Sequence, residues 1–433
     1  MLQGLSVRPF GSLLALGLGL ALAPTAADAA PPSRPPIAPI STEMVPGAHP
    51  LHRLVERERA HARFLGDALA RGRLRIVPRP PSADALSPAL DCEHAIHDIQ
   101  LHPRTGATTA ELELRVRANG RPLTAVGFSL DEGLTVGDVT VDGGRLASVS
   151  DEVYPPSRVV RVDLSPALQP GETATLRIPY GGMLRCGGYE GGGVVCAKGR
   201  DFSYFAHQSV FPYLFDPEDP YGYGLDGMTR EIVLRVPAEA DVVATGEHVS
   251  DTIEGATRIS RWSIGKPLSR ALGMYVFAGK LGTRTVPGRT VPTTLVFPVP
   301  ELPMDQRLAT WSAPVLDFVE QLGGRPLPFQ KSMTLVRLPG DVGDPGTATF
   351  GMTLLSETYA RAGDLMHEET WAHENAHLFW GIVVPEKTSR ESRILSEGLA
   401  TLSEIDYTYA SHFAGEDREL YLARRFVPIG LDL

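Results

Sequence analysis

Residues 373–377 read HENAH, and a glutamate, Glu397, follows twenty positions after the second histidine. Histidines four residues apart on a helix project from one face, so His373 and His377 can reach the same ion while Glu374 lies beside it. A carboxylate from a second helix, that of Glu397, would complete three protein ligands and leave a fourth position open to water. An open fourth position is typical of catalytic zinc, and the pattern therefore predicts one bound Zn²⁺ ion.

The flanking residues predict two helices that carry these ligands. Residues 364–380 read as a helix, with Asp364 as a candidate N-cap and Gly381 as its stop. In the second segment, apolar residues recur at helical spacing, namely Ile394, Leu395, Leu399, Leu402 and Ile405. Glu397 is therefore predicted on a helix that packs against the first. The simpler alternative is an amphipathic helix with two hydrogen-bonded histidines and a solvated Glu374.

The metal motif and its surroundings resemble a known family. Residues 373–381, HENAHLFWG, and residues 396–400, SEGLA, resemble the zinc motifs of the M1 family of zinc aminopeptidases. The similarity spans about residues 88 to 410 and includes three further stretches. These are FPYLFDP at 211–217 with the strand that follows it at 229–236, residues 266–279 at the end of a β-domain, and FGMTLLSE at 350–357, before the zinc helix.

The resemblance implies a role for each residue of the motif. His373, His377 and Glu397 would be the zinc ligands, and Glu374 would be the general base that takes a proton from zinc-activated water during hydrolysis of a peptide substrate. Glu404 stands seven positions after Glu397, where the family keeps a carboxylate that orients a ligand imidazole. A solvated glutamate on the helix face is the open alternative for Glu404.

The chain departs from the family pattern at three points. Nineteen residues separate His377 from Glu397, where the M1 pattern has eighteen. The exopeptidase signature Gly-x-Met-Glu-Asn is replaced by GTAT at 346–349, and Ala348 occupies the glutamate position. The family's transition-state tyrosine and C-terminal helical domain would lie beyond Leu433, so the catalytic domain is expected to be incomplete at its C-terminus.

These departures leave three functions open. The first is an M1 aminopeptidase-like zinc metallopeptidase. The second is an endopeptidase that does not recognise a free N-terminus, because the family's glutamate that binds the substrate's α-amino group is replaced by Ala348. The third is a catalytically silent metal-binding or scaffold module on the same fold.

The N-terminus predicts export. Arg8 precedes an apolar run at 13–22, and Ala27-Asp28-Ala29 supplies a small-x-small cleavage site, which together indicate a signal peptide over residues 1–29. The apolar run is too short to span a bilayer comfortably, so no stable membrane insertion is expected after cleavage. The mature chain is expected to be periplasmic or extracellular.

The remaining sequence divides into three segments. Residues 30–87 read as a Pro-rich linker and an amphipathic helix, residues 88–285 as short strands, and residues 286–433 as mixed helix and strand. The clearest strand is ELELRVRA at 111–118, which alternates strictly. The predicted fold class is α+β multidomain: an N-terminal antiparallel β-sandwich or saddle domain followed by a thermolysin-like catalytic domain.

The composition of the chain limits which partners it can bind and how many disulfides it can form. The 433-residue chain has a formal net charge of −10 and no evident basic face, which argues against a nucleic-acid partner. Three cysteines are too few for a disulfide scaffold. In an exported protein Cys186 and Cys196 either bridge the Gly-rich loop between them or stay reduced, and Cys92 is expected to be buried.

Overall fold

The structure is a computed structural model, and part of the chain is described in it. The described residues are 89–154, 157–184, 196–198, 204–207, 210–217, 227–269, 273–287, 291–322, 331–338, 346–357, 364–382, 396–415, 417 and 421. All of them belong to one compact unit, Pro50–Leu433. The predicted signal peptide, the linker with its amphipathic helix, and the side chains of Cys186 and Cys196 lie outside the described residues.

Strands dominate the described residues. There are twenty-one: β1 (Leu90–His102), β2 (Ala107–Ala118), β3 (Leu123–Asp131), β4 (Leu134–Val136), β5 (Thr140–Val141), β6 (Leu146–Tyr154), β7 (Ser157–Leu168), β8 (Thr173–Met183), β9 (Cys196–Lys198), β10 (Tyr204–His207), β11 (Tyr213–Phe215), β12 (Gly227–Pro237), β13 (Asp241–Ala244), β14 (Glu247–Glu254), β15 (Thr257–Ser269), β16 (Val276–Gly279), β17 (Leu281–Thr285), β18 (Thr293–Pro298), β19 (Met333–Leu338), β20 (Gly346–Thr349) and β21 (Met352–Ser356). The helices are α1 (Pro303–Leu322), α2 (Asp364–Ala376) and α3 (Leu399–Thr408), which runs into a π-helical turn, Tyr409–Phe413.

The N-terminal part is built from three sheets. An eight-stranded sheet has the order β14-β15-β12-β1-β2-β8-β4, with β5 also paired to β8, and two four-stranded sheets have the orders β11-β3-β7-β6 and β13-β16-β10-β9. Strict alternation in β2 places Leu112, Leu114 and Val116 in the core, where they meet buried residues such as Phe128 on β3 and Val162 on β7. One continuous core therefore joins the sheets.

One pairing in this part differs from the predicted antiparallel sheet. β1 and β12 run parallel, with Ala95 opposite Arg230, whereas the other pairs of the eight-stranded sheet are antiparallel. A parallel pair needs a long crossover, and here ten strands intervene along the chain.

A fourth sheet packs against the helices. The five-stranded sheet has the order β17-β18-β19-β21-β20, with β18, β19 and β21 parallel and the two edge strands antiparallel. β21 is buried along its whole length, as expected for a parallel strand covered on both faces. Apolar residues from this sheet and all three helices form a second core. The described structure is thus mostly strand, with helices concentrated near the predicted metal site.

A buried ion pair fixes α1 on this sheet. The guanidinium of Arg337 on β19 donates to both carboxylate oxygens of Asp305 at the start of α1, over 2.5 and 3.2 Å. Asp305 also accepts the backbone N–H of Leu302 at 2.7 Å, as an N-terminal capping acceptor. Both charged side chains are at most 2% exposed. The ion pair therefore fixes the N-terminus of α1 against β19, at the edge of the second core.

Among the described residues, no helix is long and apolar enough to cross a membrane.

Candidate metal centre

The zinc-motif helix is shorter than the sequence predicts. α2 ends at Ala376, and residues 377–379 form a turn in which the backbone N–H groups of Phe379 and Trp380 both donate to the Ala376 carbonyl. Gly381 then adopts a φ of 103°, which lets the chain leave the helix direction. His377 thus lies one position beyond α2, although its own N–H still donates to the His373 carbonyl at 3.3 Å.

The two histidines of the motif face each other. Their rings are 4.9 Å apart between centroids at an interplanar angle of 82°, and the Nε2 atoms of His373 and His377 are 3.2 Å apart. Glu397 is not inside a regular α-helix: residues 396–398 form a π-helical turn directly before α3. From this turn, its Oε2 lies 3.5 Å from His373 Nε2 and 3.6 Å from His377 Nε2.

These three atoms have the spacing of a zinc ligand set. Ligand atoms held tetrahedrally at about 2.0–2.1 Å from one ion lie about 3.3–3.4 Å from each other. The three separations of 3.2, 3.5 and 3.6 Å bracket that value. Two imidazoles and one carboxylate are also the donor types that zinc favours in open sites. The residues present therefore fit a zinc ion, and the 60% exposure of the Glu397 side chain keeps one side of the cluster accessible to solvent.

The outer nitrogen of each histidine is also engaged. His373 Nδ1 lies 3.2 Å from Glu404 Oε2, and His377 Nδ1 lies 3.3 Å from the Trp380 carbonyl and 3.1 Å from Ser396 Oγ. A carbonyl oxygen only accepts, so the proton of neutral His377 sits on Nδ1 and leaves the Nε2 lone pair directed at the cluster. Such outer contacts fix ring orientation and raise ligand basicity.

The electrostatics of the cluster favour a charged state. Burial lowers the pKa of the His373 imidazole, but hydrogen bonds to Glu397 and Glu404 and the charge of Glu374 outweigh it and raise the pKa to about 10. The pKa of His377 is raised in the same way, against burial, by Glu397 and Glu374. Hydrogen bonds from His373 and His377 lower the pKa of Glu397. Without a cation the carboxylates thus hold protons on the imidazoles, and a divalent ion would replace those protons.

Glu374 packs against the edge strand β20. Its side chain is buried, and a Cβ added to Gly346 would lie 2.6 Å from Glu374 Cγ and 3.0 Å from Cδ. Only a glycine leaves space for the glutamate at this position. Further along β20, Ala348 packs partly buried against the helical core, and the hydroxyl of Tyr275 donates to Thr347 Oγ1 at 3.3 Å.

Two features of the site were not predicted from the sequence. Ser396, which contacts His377, directly precedes Glu397, but a serine before a glutamate carries no recognisable signal. The second is a buried group in which Glu368 on α2 accepts the hydroxyl of Tyr407 at 2.5 Å and contacts His412 Nε2 at 3.0 Å. This group joins α2 to the end of α3 and to the π-helical turn, and it commits the Tyr407 hydroxyl to a structural contact.

Comparison with known proteins gives a fold relationship. No protein-family model matches the chain, and no curated protein matches it. An M1 zinc metallopeptidase from Deinococcus radiodurans is 22% identical, with a TM-score of 0.59, covering 80% of this chain and 75% of that chain. A mutant M1 zinc metallopeptidase from Deinococcus radiodurans bound to a Tyr-ser-ala substrate is 21% identical, with a TM-score of 0.59 and coverages of 79% and 76%. A mutant two-domain M1 zinc metallopeptidase bound to L-arginine is 20% identical, with a TM-score of 0.59 and coverages of 79% and 75%. The chain therefore has the fold of the two-domain M1 zinc metallopeptidases.

Proposed function

We propose that this chain is an exported zinc metallopeptidase of the M1 type, organised as an N-terminal β-domain over residues 88–285 and a thermolysin-like domain over residues 286–433. The observation that carries the proposal is the triangle of His373, His377 and Glu397, whose ligand atoms lie at tetrahedral zinc spacing on an M1 fold. A neighbour with this fold binds a peptide substrate, which supports a peptide as the substrate here.

Each residue of the cluster has a defined task. His373, His377 and Glu397 hold the ion, and Glu404 with Ser396 orients the two imidazoles. When bound, zinc supplies Lewis acidity, which lowers the pKa of water and polarises a carbonyl group. Glu374 accepts the proton from the attacking water and passes it to the leaving amine. Its carboxylate is held against Gly346, so little rotamer freedom is lost when substrate binds.

The signal peptide predicted over residues 1–29 supports a periplasmic or extracellular location for this activity. The acidic net charge of −10 supports a peptide rather than a nucleic acid as the partner. A resident zinc ion is compatible with that compartment, because the ligand set contains no oxidisable thiol.

The test compares matched fluorogenic peptides with free and blocked N-termini, using the zinc-loaded mature chain. We expect hydrolysis that is lost in Glu374→Gln while zinc binding is retained. Glu113→Gln on β2 is the matched control, because it makes the same change on the surface of the β-domain, where the carboxylate pairs with Arg177. The ratio of free to blocked cleavage separates aminopeptidase from endopeptidase activity. Absence of zinc binding, or zinc binding without any turnover, would overturn the proposal; the latter result is that of a silent module.

A further inference from the structure

A chain of buried hydrogen bonds runs through the zinc-motif helix on the side away from the ligands. Thr353 Oγ1 on β21 donates to Asn375 Oδ1 at 3.2 Å, and Asn375 Nδ2 donates to the Trp371 carbonyl at 2.8 Å. The Trp371 indole N–H donates to Ser312 Oγ on α1 at 2.9 Å, and Ser312 donates to the Leu308 carbonyl at 2.5 Å. The four side chains are completely buried, and together they tie α2 to the sheet and to α1.

A buried asparagine is costly unless it serves a specific geometry. Moving an amide out of water is unfavourable, and the bonds it regains in the core return little net stability. An apolar residue at position 375 would pack against β21 without that cost. What an apolar contact lacks is direction, because dispersion forces leave a helix free to rotate slightly about its axis. The Thr353–Asn375 bond specifies one rotation of α2.

That rotation controls the metal ligands. At about 100° per residue, His373 and His377 lie on average about 200° around the helix from Trp371 and Asn375, so the anchored face and the ligand face are nearly opposite. A rotation of about 10° would move an atom about 5–6 Å from the helix axis by about 1 Å. Functional groups need placement to within about 0.5 Å. Removing a hydrogen bond on the anchored face of α2 can therefore displace the ligand atoms on the opposite face.

We propose that Asn375, with Thr353, is a positioning residue that fixes the rotation of α2 and thereby the placement of His373 and His377 toward Glu397. The same rotation seats Glu374 against Gly346 on β20, which lies about 100° from Asn375 around the helix. Asn375 touches neither ion nor substrate and acts through the backbone of α2. This inference rests on the proposed zinc site.

The test measures the dissociation constant of Zn²⁺ from the apo-protein by competition with a chromophoric chelator, and the absorption spectrum of the Co²⁺ form. Asn375→Leu and Thr353→Val remove the bond while keeping the branching and the number of side-chain heavy atoms, whereas Thr353→Ser keeps the hydroxyl. We expect the first two to weaken Zn²⁺ binding about ten- to a hundredfold and to change the Co²⁺ spectrum, as removal of groups that orient ligands does. Thr353→Ser should stay close to the wild type.

A matched control separates positioning from stability. Val319→Ala on α1 creates a cavity in the same buried core, so it should lower the thermal midpoint without changing Zn²⁺ affinity. If Thr353→Val binds Zn²⁺ and shapes the Co²⁺ spectrum as the wild type does, the positioning role is wrong. Thr353→Val alone decides the question if Asn375→Leu does not fold. A wild-type chain that binds no Zn²⁺ would instead overturn the proposed function on which the inference rests.

Discussion

Glu404 Oε2 lies 3.2 Å from His373 Nδ1, on the side of the imidazole opposite to Glu397. The ring thus lies between two carboxylates, of which one belongs to the proposed ligand set and the other is proposed to orient the ring. Glu404→Gln keeps the size and an acceptor but removes the charge. Because a carboxylate raises the basicity of the ligand it contacts, we expect Zn²⁺ binding about ten- to a hundredfold weaker, measured by chelator competition. Asp406→Asn, at a partly exposed position on α3, is the control. If both variants bind Zn²⁺ with equal affinity, Glu404 does not support the ligand His373, and the alternative of a solvated glutamate on the helix face holds.

A substitution at Gly346 tests whether the position of the proposed general base, Glu374, matters for catalysis. Gly346→Ala would place a methyl group 2.6 Å from Glu374 Cγ and 2.9 Å from the Leu354 carbonyl, so the glutamate has to move. Since a misplacement of about 1 Å costs about a hundredfold in rate, we expect kcat to fall by about that factor. Zn²⁺ affinity should stay within about threefold, because the ligands are not touched. Gly415→Ala, which meets nothing within 4 Å, is the matched control. An unchanged kcat would show that Glu374 does not act from this position.

Local patterns in the sequence predicted which residues lie on which face of a strand, and the structure agrees in β2, where alternate residues are buried. They did not predict which strands become neighbours. The parallel pair β1–β12 depends on long-range packing that leaves no trace in either strand, because both alternate in the same way.

Helix ends and turns near the site were the least predictable features. The apolar residues Leu378, Phe379 and Trp380 continue the helical pattern, yet α2 stops at Ala376, because the glycine at position 381 and the shared Ala376 carbonyl tighten the chain into a turn. Likewise, Leu402 fits the apolar period of α3 but is 45% exposed. The π-helical geometry that presents Glu397 has no sequence signature, although such turns often occur at functional sites.

The ion pair between Arg337 and Asp305 predicts an asymmetric response to mutation. Arg337→Met would leave the completely buried carboxylate of Asp305 without its counter-ion, which typically lowers the free energy of unfolding by about 3–5 kcal/mol. Adding Asp305→Asn removes the stranded charge and keeps an acceptor for the Leu302 N–H, so the double variant should be more stable than Arg337→Met alone. Urea unfolding followed by tryptophan fluorescence measures both. Additive losses would mean that the two residues are not coupled.

His97 predicts how stability depends on pH in the β-domain. The ring is 1% exposed, stands edge-on to Phe211 at 5.5 Å, and neither ring nitrogen has a hydrogen-bond partner within the described part of the chain. Burial, together with the charges of Arg230 and His94, lowers its pKa to about 3. In the unfolded chain a histidine has a pKa of about 6.5, so between these values the unfolded state binds the extra proton. The contribution of His97 to stability is therefore constant above about pH 6.5 and falls by about 1.4 kcal/mol per pH unit as the solution becomes more acidic.

Replacing His97 by leucine isolates the pH-dependent contribution of this residue to the free energy of unfolding. His97→Leu has no group to titrate, so the loss of unfolding free energy between pH 7 and pH 4.5 should be smaller than in the wild type by about 2–3 kcal/mol. The acidic residues titrate equally in both proteins and cancel in the comparison. His102→Gln, at an exposed position at the end of β1, is the control and should keep the wild-type dependence. The measurement is urea unfolding at the two pH values. If the wild type and His97→Leu lose the same free energy of unfolding, the imidazole takes up its proton in the folded chain as readily as in the unfolded one. Some group or water in the core must then accept a hydrogen bond from the protonated ring.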